Sequence, residues 1–175
     1  YYAGFTSCDA RLLISKERAV LITDSRYLVQ AKIESPDFEI YDIKKGLDGA
    51  FGLFNEKSFW YQEDNITASS LEKAKTASGG REFLPMGQKI SEPREVKDRA
   101  EIDKIRAAEK LGDDAFAYIL ERIEAGRSER DIAFELEFYM RKNGASGTAF
   151  DTIVASGKRS SMPHGVATDK VIGIG

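Results

Sequence analysis

Apolar and polar positions change in short blocks over the first half of the chain and settle into helical spacing in the second. Arg11-Leu12-Leu13-Ile14 and Ala19-Val20-Leu21-Ile22-Thr23 are apolar runs separated by Ser15-Lys16-Glu17-Arg18, which predicts a hairpin. Tyr1-Tyr2-Ala3-Gly4-Phe5, ahead of it, reads as the inside of a strand. Ser25 to Glu34 is helix-like and is stopped by Ser35-Pro36. Phe38-Glu39-Ile40-Tyr41 alternates as a strand, and Leu47, Ala50, Phe51 and Phe54 fall at helical spacing. Lys57-Ser58-Phe59-Trp60-Tyr61 returns to strand. Leu71 to Ala77 predicts a further helix, closed by Gly79-Gly80. Strands alternating with helices define an α/β domain.

Ile90-Ser91-Glu92-Pro93-Arg94 marks the boundary, because the pattern changes after it. From Val96 onward the spacing is helical. Ile102, Ile105, Gly112, Phe116, Ile119 and Ile123 recur every three or four residues, with Ala108 and Ala115 beside them. One long helix ending at Ala125-Gly126 is expected. Gly112 inside that stripe costs about 1 kcal/mol of helix propensity relative to Ala; close approach of another backbone would explain it. A second helix begins after Ser128, an N-cap residue with Asp131 in the capping-box position. Ile132, Leu136, Tyr139 and Met140 form one stripe, while Phe134 and Phe138 lie nearly opposite. Burial on two sides is therefore expected, up to the stop at Asn143-Gly144. Gly147 to Ala155 reads as a strand, and so does the apolar run Val171-Ile172-Gly173-Ile174-Gly175.

Composition narrows the function classes. The chain has 175 residues, 42% of them hydrophobic, with 26 Lys+Arg against 29 Asp+Glu. A net charge of −3 gives no basic excess for a nucleic-acid surface. Lys44-Lys45 and Lys158-Arg159 are too short to be basic tracts and read as solvated surface. One cysteine, Cys8, cannot form an internal disulfide, which fits a reducing, cytoplasmic setting. No apolar run reaches membrane-spanning length. Both ends read as cut inside structure, so a fragment of a longer protein is expected.

His164 is the only histidine. Imidazole titrates near neutrality, which makes it the first candidate for proton transfer or for binding a polar substrate. Pro163 restricts the backbone before it, and Gly165 permits a sharp turn or close approach of a substrate. The loop alone also fits a surface histidine beside an ordinary turn. Metal binding within this chain is not expected, because a catalytic site needs about three converging ligands. Asp113-Asp114 and Glu135/Glu137 do not share a helix face, and Asp131/Glu135 reads as a solvated like-charge pair. Ser156, Ser160 and Ser161 lie near His164 in sequence, but no G-x-S-x-G elbow presents a serine. Gly173-x-Gly175 is too short for a dinucleotide fingerprint. Asp24-x-Arg26-Tyr27, after a strand, reads as a cap on the following helix with Arg26 and Tyr27 packed or paired beside it.

Taken in order, Tyr2-Ala3-Gly4-Phe5 and Asp24-Ser25-Arg26-Tyr27 resemble the N-terminal domain of the creatinase/prolidase family. The run Arg94 to Ala108 (REVKDRAEIDKIRAA) resembles the entry to that family's pita-bread catalytic domain. Phe150-Asp151-Thr152-Ile153-Val154-Ala155-Ser156-Gly157, followed by Pro163-His164, resembles its first active-site segment. The resemblance covers essentially the whole chain. It implies an α/β N-terminal domain over residues 1–90 and the first part of a pita-bread (α+β) catalytic domain over residues 91–175.

The resemblance implies further that the parent protein is an Xaa-Pro dipeptidase or Xaa-Pro aminopeptidase acting on proline-containing peptides. Such enzymes use two divalent metal ions, often manganese, held by Asp, His and Glu ligands that follow the segment matching Val171 to Gly175. A bridging water attacks the peptide carbonyl in two-metal hydrolysis of the general kind. His164 matches the family histidine that lies beside the metals and helps bind substrate. The chain by itself is then expected to hold no metal and to be inactive. A homodimer is expected from the family, with no nucleic-acid or membrane partner. Two alternatives share the layout. One is a metal-free, creatinase-like amidinohydrolase with the matching histidine as general acid and base. The other is a non-catalytic pita-bread module that binds peptides or proteins, as in histone-chaperone subunits.

Overall fold

In a computed structural model that describes residues 1–174, the chain divides into two compact units, Tyr1–Glu95 and Val96–Gly175. The mixed α/β class follows the strand and helix patterns.

The first unit is built on the predicted hairpin. Strands β1 (Ala10–Ile14) and β2 (Ala19–Thr23) pair antiparallel with Leu12 opposite Leu21. Helix α1 (Leu28–Glu34) then carries the chain across to β3 (Glu39–Asp42), which lies parallel to β2 with Ile22 opposite Tyr41. Helix α2 (Leu47–Gly52) follows. Further along the same unit, strand β4 (Ser58–Tyr61) and strand β5 (Glu82–Pro85) pair parallel in a two-stranded sheet, with helix α3 (Ala68–Ala77) between them in sequence. Strand β5 is an element the apolar pattern did not suggest.

Val20, Ile22, Tyr41, Ala50 and Phe54 form the core, with Leu13, Leu47, Leu53 and Phe59 packed against it. Burying an aliphatic side chain of this size contributes about 1.5–3 kcal/mol. Phe59 meets Phe51 edge-on at 5.0 Å and Phe83 at 5.6 Å, which joins β4 and β5 to α2. Arg81, just ahead of β5, donates to the carbonyls of Phe51 and Phe54, which ties that strand's entry to the end of α2.

Two readings of this unit change. Tyr1 to Phe5 is not a strand: Gly4, at φ 67°, closes a turn in which its amide donates to the Tyr1 carbonyl. The helix-like run from Ser25 starts only at Leu28. The Asp24 carboxylate accepts from the Arg26 amide, which folds Ser25 to Tyr27 into a turn, and Tyr27 takes the cap position. The unit ends in tight turns from Gly87 and a single helical turn, α4 (Glu92–Glu95).

The second unit begins with α5 (Arg99–Leu120), capped by an Asp98/Glu101 capping box. It is shorter at both ends than its apolar spacing suggests. Val96 is exposed ahead of it. At the other end the Arg122 and Ile123 amides both turn back to the Ile119 carbonyl, so the helix tightens and stops. Helix α6 (Glu129–Lys142) starts at the predicted Ser128 cap with Asp131 completing the box. The helices meet where Tyr118 stacks on Tyr139 at 4.2 Å. Tyr118 also donates to Glu135, which pairs with Arg122 and Arg127 at 3.2 and 2.5 Å.

This contact uses a narrower face of α5 than the stripe implied. Ala115 and Ile119 are buried, whereas Ile105, Phe116 and Ile123 stay about half exposed. Among the described residues no other backbone comes within 4 Å of a Cβ built at Gly112. Helix α6 is buried on one side, through Ile132 and Ala133, while Phe134 and Phe138 are 63% and 66% exposed. Nothing in the described chain packs over them.

After α6 the backbone carries little regular structure. Gly147 to Ala155 is not a strand. Only Ile153 pairs, by a single bridge to Val166, and the partner then turns aside toward Glu129 before a ladder can extend. Val171 likewise makes one bridge, to Ser128, and Ile172 exchanges backbone bonds with Gly126 and Arg127. Gly175, the end of that apolar run, lies outside the described residues.

Candidate functional site

The chemistry-bearing residues of the second unit gather in the loop between Ala155 and Val171. Pro163 and His164 occupy the centre of a β-turn closed by the Gly165 amide on the Met162 carbonyl at 3.1 Å. Proline suits the first central position, and the absence of a positive φ at His164 excludes type II geometry. The imidazole is exposed, and among the described residues no group hydrogen-bonds it. It is therefore free to engage a molecule outside the chain.

Gly165 ends the turn, the first of the two roles expected of it. It is buried, and a Cβ there would lie 2.9 Å from Ala155 Cβ and 3.2 Å from the Met162 carbonyl oxygen. It also permits close approach of the chain itself, at Ala155 and Met162.

The loop has hardly any backbone ladder, so side chains hold it. Ser156, where it begins, donates through its amide and hydroxyl to Glu129 Oε1 at 2.8 and 2.9 Å. Thr168, where it returns, donates through its hydroxyl and amide to Glu129 Oε2 at 2.8 and 3.3 Å. Arg159 also pairs with this carboxylate, and it donates to the Val166 carbonyl at 3.0 Å. Lys170 bonds the Ser156 hydroxyl at 2.7 Å. Glu129 itself is fully buried. Burial pushes its carboxyl pKa up, but the Ser156 and Thr168 hydrogen bonds outweigh this and hold it at about 2. It stays an anion surrounded by donors.

Glu129 is the residue that the sequence patterns left out. Its signal was present: it lies three and four positions before Ile132 and Ala133, on the buried stripe of α6. A carboxylate in the first turn of a helix ordinarily reads as a complement to the helix dipole. A carboxylate on the apolar side must have partners, because an unpaired buried charge is costly. Arg159, read as solvated surface, is one of them and is turned inward.

The remaining candidates resolve into structure. The Ser160 and Ser161 hydroxyls donate to the Gly157 and Lys158 carbonyls, inside their own 3-10 turn. Asp131 caps α6 as its spacing predicts and is exposed, whereas Glu135 binds two arginines and is not the solvated carboxylate expected. Arg26 pairs with Asp24 at 2.7 Å and Asp9 at 3.3 Å, and its guanidinium lies over the Tyr27 ring. An open groove of about 580 Å³ in the first unit is lined by Leu47, Asp48, Glu72, Lys73 and Thr76 and gathers no comparable chemistry.

Among the described residues, no group of three or more His, Cys, Asp or Glu side chains is placed to hold a metal ion. The metals implied by the family resemblance therefore have no donor set among the described residues. No described helix is long and apolar enough to cross a membrane.

A mixed α/β unit is followed by a helical unit that presents His164 on a loop fastened by side chains. The chain belongs to the creatinase/prolidase family, matching the Creatinase/Prolidase N-terminal domain over residues 1–96 and metallopeptidase family M24 over residues 103–175. An uncharacterized peptidase of Bacillus subtilis, YqhT, is 38% identical across 98% of this chain and 50% of its own length. The Xaa-Pro dipeptidase of Pyrococcus horikoshii is 36% identical across 92% of this chain and 45% of its own. The crystal structure of X-Pro aminopeptidase from Thermotoga maritima superposes with a TM-score of 0.89 at 43% identity, over 99% of this chain and 50% of that one. The chain thus spans about half the length of the relatives it matches.

Proposed function

We propose that this chain is part of an Xaa-Pro metallopeptidase and that His164 is a substrate-binding residue at the edge of its active site. The similarity to X-Pro aminopeptidase from Thermotoga maritima along nearly the whole chain carries this reading. The loop geometry supports it. An imidazole held in a tight turn, exposed and without an internal partner, can donate a hydrogen bond to a peptide carbonyl and withdraw electron density from it. Two divalent metal ions, manganese by the family resemblance, would supply the activated water and would be held by residues of the whole protein other than those described here. The same reading carries a homodimer and a cytoplasmic location.

The test uses the whole protein, assayed on an Xaa-Pro dipeptide and on a longer Xaa-Pro peptide with manganese present. Hydrolysis of the Xaa-Pro bond is expected. His164→Ala should lower turnover by about 10²-fold or more, the usual scale for a lost donor at a reacting carbonyl, with the bound metal content unchanged. Unaltered kinetics in that variant would reject the role of His164. Peptide binding without turnover, with metals loaded, would reject the peptidase.

A further inference from the structure

We infer that Glu129 is a positioning residue for His164: one buried carboxylate in the first turn of α6 fastens both stems of the histidine loop. This deepens the reading of His164 given above and rests on it for its catalytic consequence only.

The argument begins with what the loop lacks. Between Ser156 and Val171 there is one 3-10 turn and one bridge, at Val166. Backbone ladders cannot fix the position of the turn at Pro163-His164. What remains is the carboxylate. Oε1 takes the Ser156 amide and hydroxyl, and Oε2 takes the Thr168 hydroxyl and amide. The two oxygens thus hold the two ends of the same loop. Arg159, from inside the loop, closes on Oε2 and reaches the Thr168 hydroxyl at 3.1 Å. The backbone of α6 repeats the attachment. The Glu129 amide donates to the Lys170 carbonyl at 2.9 Å, and the Arg130 amide donates to the Thr168 carbonyl at 3.0 Å. Those amides belong to the first helical turn, where no intrahelical acceptor exists.

Every group facing the Glu129 carboxylate is a donor: hydroxyls, amides and a guanidinium, with the Lys170 ammonium 4.0 Å away. Such a site accepts an anion with two acceptor oxygens and nothing else of that shape. Glutamine would turn an amide NH₂ toward donors. Aspartate is one methylene shorter and cannot reach both stems from the same backbone. The carboxylate does not reach His164 and acts through the loop, so it positions the imidazole and takes no part in proton transfer.

The test is made first on this 175-residue chain. His164 is its only histidine, so the imidazole gives a single assignable NMR signal. In Glu129→Gln, amide exchange from Ser156 to Thr168 should rise about tenfold or more, and the His164 signal should shift, while amides in the middle of α5 and α6 keep their protection. If that variant fails to fold, the paired variant Ser156→Ala with Thr168→Val leaves Glu129 in place and unties the stems, and the same changes are expected. Loop exchange and a His164 signal that both stay as in the parent chain would overturn the inference.

The second arm uses the whole enzyme. Glu129→Gln should lower kcat by a factor no larger than His164→Ala does, with KM changed less than kcat, and Glu129→Asp should recover less than half of the loss. An unchanged kcat in Glu129→Gln, in an enzyme that His164→Ala impairs, would overturn the positioning role. If His164→Ala itself has no kinetic effect, the peptidase role of the histidine fails, and the exchange measurements still decide whether Glu129 holds the loop.

Discussion

Gly165 and Ala155 touch so closely that only glycine fits: a Cβ added to Gly165 would come within 2.9 Å of Ala155 Cβ. The contact lies one residue from His164 and pins the end of its turn to Ala155, at the entry to the loop. Gly165→Ala should therefore force the turn or Ala155 to shift. The cost expected for overpacking of this kind is about 1–3 kcal/mol, read as a lower urea midpoint. Ala155→Gly placed in the same chain removes the colliding methyl and should recover part of the loss. A double-mutant cycle measures the coupling; strictly additive effects would show that the two positions do not compete for space.

Gly112 gives the opposite expectation. It lies within α5, has no positive φ, and faces open space where a methyl group would point. Gly112→Ala should then stabilise this chain by roughly 0.8–1 kcal/mol, through helix propensity and the smaller entropy of the unfolded backbone. Thermal or urea unfolding of the 175-residue chain is the measurement. A lower midpoint in the variant would mean that something does approach this face.

These two glycines also mark what the sequence could convey. Periodicity located the hairpin, the cap at Ser128 and the existence of both long helices, because local spacing and capping chemistry act within a few residues. It could not say which part of the α5 stripe meets α6. Ile105, Phe116 and Ile123 repeat at the right spacing, yet the contact falls on Ala115, Tyr118 and Ile119. It also made strands of runs such as Gly147 to Ala155, where apolar character is real but a pairing partner is not. His164 was legible, being unique and flanked by Pro163 and Gly165. The carboxylate that holds its loop was not. Glu129 lies 27 residues before Ser156 and 39 before Thr168, and no local pattern encodes a contact of that separation.

Acid should destabilise each of the two units. The Arg26 side chain, donating to Asp24, holds that carboxyl at about 2, and Glu129 is also held at about 2, its donors outweighing burial. Asp131, bonded to Ser128, and Glu135, bonded to Arg127, are lowered as well. In the unfolded chain these groups titrate near 4. Between those values the unfolded state binds more protons than the folded one, so stability falls as pH decreases. The contribution is complete above about pH 5 and is progressively lost as pH drops through 4 toward 2. Urea midpoints measured from pH 6 down to pH 3 should decline with this sign. Asp24→Asn and Glu129→Gln should each flatten the decline, the first by removing a carboxylate of the N-terminal unit and the second one of the C-terminal unit. Midpoints that stay level from pH 5 to pH 3 in the unsubstituted chain would show that these carboxylates are not held below their ordinary range.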